Sequence, residues 1–169
     1  MVRIYLRHSL KEHDNSPSLG CDPGITPTGS TLARTQFTAL LREYPPPNRL
    51  VVSPYLRTRQ TAQILSGLTG CPITYDARIG EYLGNWNRYN IKNLVTLETW
   101  YRGARILNRK NFELGVRQHD LEERNRTDCS WYISHGLTIQ AIGKNYGVSY
   151  YPNEMNGIII ENGLVRIWS

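Results

Sequence analysis

Cysteine is scarce in this chain of 169 residues, and its three cysteines are an odd number. Cys21, Cys71 and Cys129 are scattered, and none belongs to a CxxC motif. Disulfide frameworks and structural zinc sites need cysteines or histidines at short, regular spacings. The sequence therefore argues against both kinds of site, and it favours reduced thiols in a reducing compartment.

The sequence also lacks long apolar runs, internal repeats and low-complexity tracts. A transmembrane helix needs about 20 consecutive apolar residues, and no stretch approaches that length. The first apolar stretch covers only residues 2–6 and runs directly into Arg7 and His8, unlike a signal peptide. We therefore expect one globular domain over residues 1–169, cytoplasmic and without membrane contact.

Three common catalytic motifs are missing as well. Residues 24–31 have the glycine spacing of a P-loop, but Ser30 stands where its lysine belongs and no strand precedes the segment. No cysteine is followed by arginine at the sixth position, and no GxSxG sequence occurs. These absences argue against P-loop nucleotide binding, a cysteine-based phosphatase loop and a serine nucleophile elbow.

Charge of one sign is in excess, since 20 lysines and arginines face 14 aspartates and glutamates, for a net charge of +6. The excess favours an anionic partner, anywhere between a small phosphate ester and RNA. The basic residues are spread along the chain instead of forming a stripe, which is not typical of a dedicated nucleic-acid module.

What the sequence does contain is an alternation of short apolar runs and helical patterns. Ala33, Phe37, Leu40, Leu41 and Tyr44 recur on one face of a helix over residues 28–44. The predicted strands are residues 2–6, 50–52, 71–75 and 131–133, with a hairpin of Gly157–Glu161 and Leu164–Trp168 around Asn162-Gly163. A second helix is predicted over residues 54–68, with Ser53 as its N-cap and Pro54 at N1. One side of this helix carries Leu56, Gln60, Ile64 and Leu68. Further helices are predicted over residues 90–102, 113–124 and 137–146.

This order predicts an α/β fold, a three-layer sandwich with a mostly parallel central sheet flanked by helices and a C-terminal hairpin. Ligands of such sheets bind beyond the carboxyl ends of the strands. The residues that follow each predicted strand are therefore the candidates for function.

Five chemically active side chains follow these strand ends: Arg7, His8, Arg57, Glu81 and His135. Arginine binds phosphate oxygens with a planar fork of donors, and a helix start near Ser53 favours anions. A neutral imidazole can attack phosphorus, a protonated second one can stabilise the transferring charge, and a carboxyl group can protonate the leaving oxygen. Each residue alone has an ordinary structural explanation, but their joint placement favours phosphoryl chemistry.

Five segments also carry a resemblance to a known family. They are LRHS near the N-terminus, DPGITPTGSTLA at 22–33, SPYLRTRQTA at 53–62, ARIGEYLGNW at 77–86 and SHGLTIQAI at 134–142. Together they resemble the histidine phosphatase family, which includes the phosphoglycerate mutases. The matches occur in family order and span nearly the whole chain, so the resemblance implies a phosphoglycerate mutase-like fold.

The resemblance implies a role for each matching residue. His8 is the expected nucleophile, and Arg7, Arg57 and His135 are expected to hold the phosphoryl oxygens. Glu81 matches the family's proton donor, and no metal or other cofactor is implied. Ser9 replaces the family's glycine and offers a hydroxyl donor to phosphate.

Further residues near these motifs are weaker candidates. Asn15 is expected to bind phosphate through a one-residue shift, since Asp14 stands at the family's asparagine position. Lys11 and His13 either add positive charge for a substrate or belong to a solvated loop. Tyr82 and Trp86 either line the pocket or belong to the core.

The predicted function is a metal-independent phosphomonoester hydrolase with a phosphohistidine intermediate on His8, and its partner is an anionic phosphorylated small molecule, phosphoprotein or RNA end. One alternative is a phosphatase acting on the 5′ phosphate of RNA or nucleotides. Another is a phosphoglycerate mutase-type phosphotransferase, although the segment between Glu81 and His135 is short for a mutase. A third is a catalytically weak phosphate-binding regulatory module, suggested by Ser9.

Overall fold

A computed structural model describes residues 1–12, 23–81 and 109–169 of the chain. Within these ranges a six-stranded sheet is flanked by four α-helices. The elements in chain order are β1 (Val2–Arg7), α1 (Pro27–Glu43), β2 (Arg49–Val52), α2 (Leu56–Thr69), β3 (Ile73–Tyr75), a 3₁₀ turn (Ala77–Ile79), α3 (Arg109–Arg124), β4 (Ser130–Ser134), α4 (Gly136–Lys144), β5 (Gly157–Glu161) and β6 (Leu164–Trp168).

The sheet has the strand order β3-β2-β4-β1-β5-β6. The first four strands of this order run parallel, while β5 is antiparallel to β1 and β6 to β5. Ile133 of β4 pairs with both Leu6 of β1 and Val52 of β2, so these three central strands end level with one another. The predicted α/β class with a mostly parallel sheet and a C-terminal hairpin is confirmed.

Side chains alternate between the two faces of the sheet and build a core on each face. Ile4 and Leu6 of β1 pack in one cluster with Phe37 of α1 and Leu65 of α2. Tyr5, between them in sequence, joins the other cluster, which contains residues of α3 and α4. Burial of one such large apolar side chain contributes about 1.5–3 kcal/mol. The three-layer arrangement follows from these two cores.

Helix α1 spans Pro27–Glu43, one residue earlier at each end than the predicted 28–44. The Thr26 hydroxyl accepts a hydrogen bond from the Gly29 backbone N–H at 2.9 Å, and Pro27 occupies the first turn. Ala33, Phe37 and Leu40 are buried as predicted. The hairpin is also confirmed, because Asn162 and Gly163 at its turn have φ of 52° and 81°.

The sequence-based prediction for the second helix was wrong in its start and in its buried face. Helix α2 begins at Leu56, and Ser53 is not its cap. The expected apolar side included Leu68, which is 39% exposed. The buried face is instead polar in part, and its hydroxyls are paired with backbone carbonyls, as in the 2.6 Å bond from Thr58 to Ser53. The buried residues of α2 are Arg57, Thr58, Thr61, Ala62 and Leu65.

Several boundaries differ from the predictions by a few residues. Strand β3 is Ile73–Tyr75 and starts two residues after the predicted position 71, because Pro72 has no backbone N–H to donate to a neighbouring strand. Helix α3 begins four residues before the predicted position 113. Helix α4 begins at Gly136 and ends at Lys144, earlier than the predicted 137–146. The predicted helix at 90–102 lies outside the described residues.

Helix α3 docks on the sheet through buried polar side chains. The Nδ1 atom of His119 lies 2.9 Å from Oδ2 of Asp76, and Arg78 bonds the same carboxylate. Although burial acts to raise the pKa of Asp76, the hydrogen bonds from His119 and Arg78 hold it well below its usual range. Glu123 of α3 bonds Arg49 at 2.8 Å, so charge pairing and apolar contacts both hold this helix.

Two further expectations concern the environment of the chain. Cys71 and Cys129 are free thiols, as expected. In the described ranges, no helix is long and apolar enough to cross a membrane.

Candidate active site

The residues after β1, β2 and β4 meet at one edge of the sheet because these strands end level. The backbone N–H of His8 donates to the Ser134 carbonyl at 3.0 Å, and that of Ser53 donates to the Ile133 carbonyl at 3.0 Å. The rings of His8 and His135 consequently lie 5.4 Å apart, centroid to centroid. Two histidines separated by most of the chain thus share one site.

His8 is buried and oriented by its own backbone neighbour. Its Nδ1 lies 2.7 Å from the Ser9 carbonyl oxygen. A carbonyl can only accept, so the proton sits on Nδ1 and the lone pair on Nε2. Burial, followed by the positive charge of Arg57, holds the pKa of His8 well below its ordinary value. The side chain therefore presents a neutral imidazole nitrogen, the form that a nucleophile requires.

His135 is also buried, and both of its nitrogens have neighbours. Its Nε2 lies 2.8 Å from the Ser53 hydroxyl, while its Nδ1 lies 3.4 Å from Arg57 Nη2 and 3.7 Å from Glu81 Oε2. Burial and the charge of Arg57 hold the pKa of His135 well below its ordinary value. This environment opposes the protonated second histidine that the sequence analysis expected, and only a nearby anion would offset it.

Arg57 and Glu81 form an ion pair beside the two histidines. The Nη2 atom of Arg57 contacts the Glu81 carboxylate. Arg57 is 3% exposed and lies against the face of Tyr55, with 4.6 Å between its Cζ and the ring centroid. Glu81 is 36% exposed, so its carboxylate reaches both the buried arginine and solvent.

Arg7 is fixed by the loop that precedes β5. It donates to the Pro152 carbonyl at 3.0 Å and forms an ion pair with Glu154 at 3.0 Å. The Tyr151 ring lies 5.5 Å from its Cζ. Neither Glu154 nor Tyr151 was found by the sequence analysis, because no strand end or motif marks them.

Ser9 lies in the site loop, and its carbonyl accepts from His8, but its hydroxyl and its backbone N–H point away from the site. Its hydroxyl donates to the Gly29 carbonyl at 2.6 Å, and its backbone N–H donates to the Thr61 hydroxyl at 3.1 Å. A donor that is already used in the core cannot bind phosphate without breaking that bond. The expectation that the Ser9 hydroxyl binds phosphate is therefore not supported by this geometry, and Ser9 instead ties the loop to α1 and α2.

Lys11 lies close enough to act on the site by its charge. Its positive charge contributes to the lowered pKa of both His8 and His135. The other weak candidates, His13, Asn15, Tyr82 and Trp86, lie outside the described residues. Ser53, which was expected as the cap of an anion-binding helix start, and Tyr55, which follows the same strand, both contact His135.

The side chains at this edge form a cationic cluster. It brings together a neutral nucleophilic nitrogen, two buried or half-buried guanidinium groups, a second imidazole and a carboxyl group. Among the described residues, no group of three or more histidine, cysteine or acidic side chains is arranged to hold a metal ion.

Solved structures with this fold come from several organisms. The mycobacterial glucosyl-3-phosphoglycerate phosphatase Rv2419c has a TM-score of 0.69 and 16% identity, with 99% of this chain and 97% of that chain covered. YhfR from Bacillus stearothermophilus has a TM-score of 0.67 and 15% identity, with 98% and 94% covered. TTHB049 from Thermus thermophilus has a TM-score of 0.61 and 15% identity, with 100% and 98% covered.

A sequence search of curated proteins found no match. The family model of the histidine phosphatase superfamily, branch 1, matches residues 4–167, nearly the whole chain. The expected family is confirmed by this match, and the matched range includes His8, Arg57 and His135. The chain belongs to branch 1 of the histidine phosphatase superfamily.

Proposed function

We propose that the chain is a phosphomonoester hydrolase that works through a covalent phosphohistidine on His8. The observation that carries this proposal is the orientation of His8. Its Nδ1 is bound to the Ser9 carbonyl at 2.7 Å, which leaves the Nε2 lone pair for attack. The lowered pKa keeps that lone pair free of a proton at neutral pH.

In the first step, Nε2 of His8 attacks phosphorus and the bond between phosphorus and the leaving oxygen breaks. Arg7 and Arg57 hold the non-bridging oxygens, and their charges stabilise the transferring phosphoryl group. Glu81 in its acid form gives its proton to the leaving oxygen. The products are an alcohol and phospho-His8.

In the second step, water attacks phosphorus and the N–P bond breaks. Glu81, now a carboxylate, takes one proton from the water, which restores its acid form. The exposed part of Glu81 suits this exchange, because the leaving alcohol and the incoming water reach the phosphoryl group from solvent. Inorganic phosphate leaves, and His8 returns to its neutral form.

His135 completes the phosphoryl site. Its Nδ1 faces Arg57 and Glu81, so it lies beside the group being transferred. The dianionic phosphoryl group would offset the effects that lower the pKa of His135. A proton on Nδ1 would then serve as a hydrogen-bond donor to a phosphoryl oxygen.

The substrate is an anionic phosphomonoester, as the positive charge of the site requires. Rv2419c is named for glucosyl-3-phosphoglycerate, and structures of that protein hold inorganic phosphate and VO3. We include glucosyl-3-phosphoglycerate in the panel of substrates to be tested, together with phosphosugars, nucleotides, phosphopeptides and 5′-phosphorylated RNA.

The test is a comparison of wild type with His8→Asn on an aryl phosphate carrying labelled phosphorus. We expect wild type to acquire an acid-labile, alkali-stable label and then to release labelled inorganic phosphate, and we expect His8→Asn to do neither. The matched control is His119→Gln, which removes another buried imidazole outside the site. A wild type that neither becomes labelled nor turns over any member of the panel contradicts the proposal. Label that passes to a second alcohol and not to water indicates a mutase-type phosphotransferase.

A further inference from the structure

The turn between β2 and α2, formed by Ser53, Pro54 and Tyr55, is buried throughout. Its sequence predicts a helix start whose free backbone N–H groups favour an anion. The structure instead places this turn directly beneath the phosphoryl site, where its side chains contact residues from three other segments. These contacts therefore indicate the role of the turn.

Ser53 determines which nitrogen of His135 faces the site. The Ser53 hydroxyl is completely buried and lies 2.8 Å from Nε2 of His135. With Nε2 engaged on this side, Nδ1 is the nitrogen directed at Arg57 and Glu81. A hydroxyl can donate or accept, so this contact persists whether His135 is neutral or protonated.

Ser53 is itself held rigidly by the strands. Its backbone N–H donates to the Ile133 carbonyl at 3.0 Å, and its carbonyl accepts a bond from the Thr58 hydroxyl at 2.6 Å. The hydroxyl that touches His135 therefore has little freedom to move. A rigid partner of this kind restricts the rotation of the imidazole ring.

Tyr55 contacts three members of the site at once. Its ring lies 4.6 Å from Cζ of Arg57 and meets the His135 ring edge-on at a centroid distance of 4.8 Å. Its hydroxyl donates to the Glu81 backbone carbonyl at 3.5 Å. Since Tyr55 is fully buried, its ring is a fixed surface against which Arg57 and His135 are placed.

We propose that Ser53 and Tyr55 are positioning residues, Ser53 directing Nδ1 of His135 at the phosphoryl group and Tyr55 setting the plane of the Arg57 guanidinium. The proposal rests on the phosphohydrolase function proposed above. Neither side chain has to contact the substrate for this role. Their removal is expected to lower turnover and phosphate binding while the fold is kept.

The role of Ser53 is tested with Ser53→Ala and Ser53→Cys, of which the second keeps most of the side-chain volume. We expect kcat to fall about tenfold in both, the effect of losing one buried hydrogen bond to a reacting group. We also expect the imidazole ¹⁵N resonances of His135, but not those of His8, to shift. The control is Ser130→Ala, a buried serine at the opposite end of β4, which should leave both readouts unchanged.

The role of Tyr55 is tested with Tyr55→Phe and Tyr55→Leu. The phenylalanine variant keeps the ring and should bind inorganic phosphate nearly as tightly as wild type. The leucine variant loses the ring beneath Arg57, and we expect its dissociation constant for inorganic phosphate, measured by calorimetry, to rise about tenfold. Thermal unfolding of both variants separates this effect from a loss of fold.

Wild-type kcat together with unchanged His135 resonances in Ser53→Ala would overturn the role of Ser53. Equal losses of phosphate affinity in Tyr55→Phe and Tyr55→Leu would overturn the role of the ring. If wild type hydrolyses nothing, the phosphohydrolase proposal fails on its own. The resonances of His135 and the phosphate affinities still decide whether these two residues position the site.

Discussion

At the scale of single residues, the cations around His8 have two effects that reinforce each other. Arg57, Arg7 and Lys11 all lower the pKa of His8, after the larger effect of burial. The same charges attract a phosphate ester. The charges that attract an anion thus also favour the unprotonated imidazole that the proposed mechanism requires.

This coupling can be tested through Lys11, which acts by its charge. Lys11→Met removes a positive charge that disfavours the imidazolium, so the pKa of His8 should rise. His8 then becomes protonated at higher pH, and the acid limb of the kcat/KM profile should move to higher pH. Added salt should reduce the difference between variant and wild type by screening. The control is Lys144→Met at the exposed end of α4, and an equal shift in that variant would argue against a local effect.

The acid role proposed for Glu81 predicts that activity depends on the leaving group of the substrate. Glu81→Gln keeps the shape of the side chain but cannot give up a proton, so hydrolysis of alkyl phosphates should fall about 10²-fold or more. Aryl phosphates, whose leaving groups need no proton, should be affected far less. The control is Glu154→Gln, the same change at the carboxylate on Arg7, which should affect both substrates equally. Equal losses on both substrates in Glu81→Gln would contradict the role of acid.

At the scale of elements, the site loop depends on the close approach of α1. A Cβ atom on Gly29, in the first turn of α1, would lie 2.5 Å from the Leu10 carbonyl oxygen. The Gly29 carbonyl also accepts the bond from the Ser9 hydroxyl. The helix start and the loop after His8 are therefore in backbone contact, and any widening of this contact displaces the loop.

Gly29→Ala should destabilise the protein by about 1–3 kcal/mol and lower its activity, because the new methyl group meets backbone and not a flexible side chain. Gly67→Ala is the matched control on α2, where a Cβ would have no neighbour within 4 Å. That variant should be more stable than wild type by about 0.5–1 kcal/mol, owing to helix propensity. Urea unfolding measures the stability of both variants. Similar changes in stability for Gly29→Ala and Gly67→Ala would refute the explanation by a backbone clash at Gly29.

Helix α3 depends on Asp76, a partly buried carboxylate in the turn after β3. Asp76→Asn weakens the bonds to His119 and Arg78 and should reduce the free energy of unfolding by about 1–3 kcal/mol at neutral pH. Because the pKa of Asp76 is depressed in the fold, its stabilisation is complete above about pH 4 and is lost as the pH falls. The difference in the free energy of unfolding between wild type and Asp76→Asn should therefore become smaller below about pH 4. A gap that is constant with pH would show that the charge of Asp76 is not involved.

At the scale of the whole molecule, the site makes folding sensitive to acid. His8 and His135 are held neutral in the fold, while an unfolded chain protonates histidine below about pH 6.5. The unfolded state therefore binds more protons in this range, and stability falls as the pH decreases from about 6.5 toward the lowered pKa values. The two neutral histidines thus lower the free energy of unfolding at acid pH, and the rest of the fold has to offset this loss of stability.

The free energy of unfolding should accordingly drop between about pH 7 and pH 5, by up to about 1.4 kcal/mol per pH unit for each histidine. His8→Asn removes one of the two groups, so its stability should depend less steeply on pH over this range. Urea unfolding measured at several pH values between about 5 and 7 gives the pH dependence of the free energy of unfolding for wild type and for His8→Asn. Identical slopes for wild type and variant would show that His8 is not held neutral.

The parts of the fold that could be predicted from the sequence are those where local signals agree with burial. The apolar runs at residues 2–6 and 131–133 and the Thr26-Pro27 helix start carry such signals, and Asn162-Gly163 marks its hairpin. Helix α2 was mispredicted because Thr58 and Thr61 are buried with paired hydroxyls, which hydrophobic periodicity cannot anticipate. Arg7, His8, Arg57 and His135 were found because they follow strand ends, whereas Glu154 comes from a loop with no local signal.

The strand order has a consequence for how the site is made during synthesis. β1 and β2, which precede His8 and Arg57, are not neighbours in the sheet, because β4 lies between them. β4 begins only at Ser130, long after both have left the ribosome. A nascent chain that already carries His8 and Arg57 thus cannot bring these two residues together until β4 inserts between the first two strands. Catalysis should appear late and abruptly during translation, and the slow pairing of distant parallel strands should limit the rate at which activity is regained on refolding.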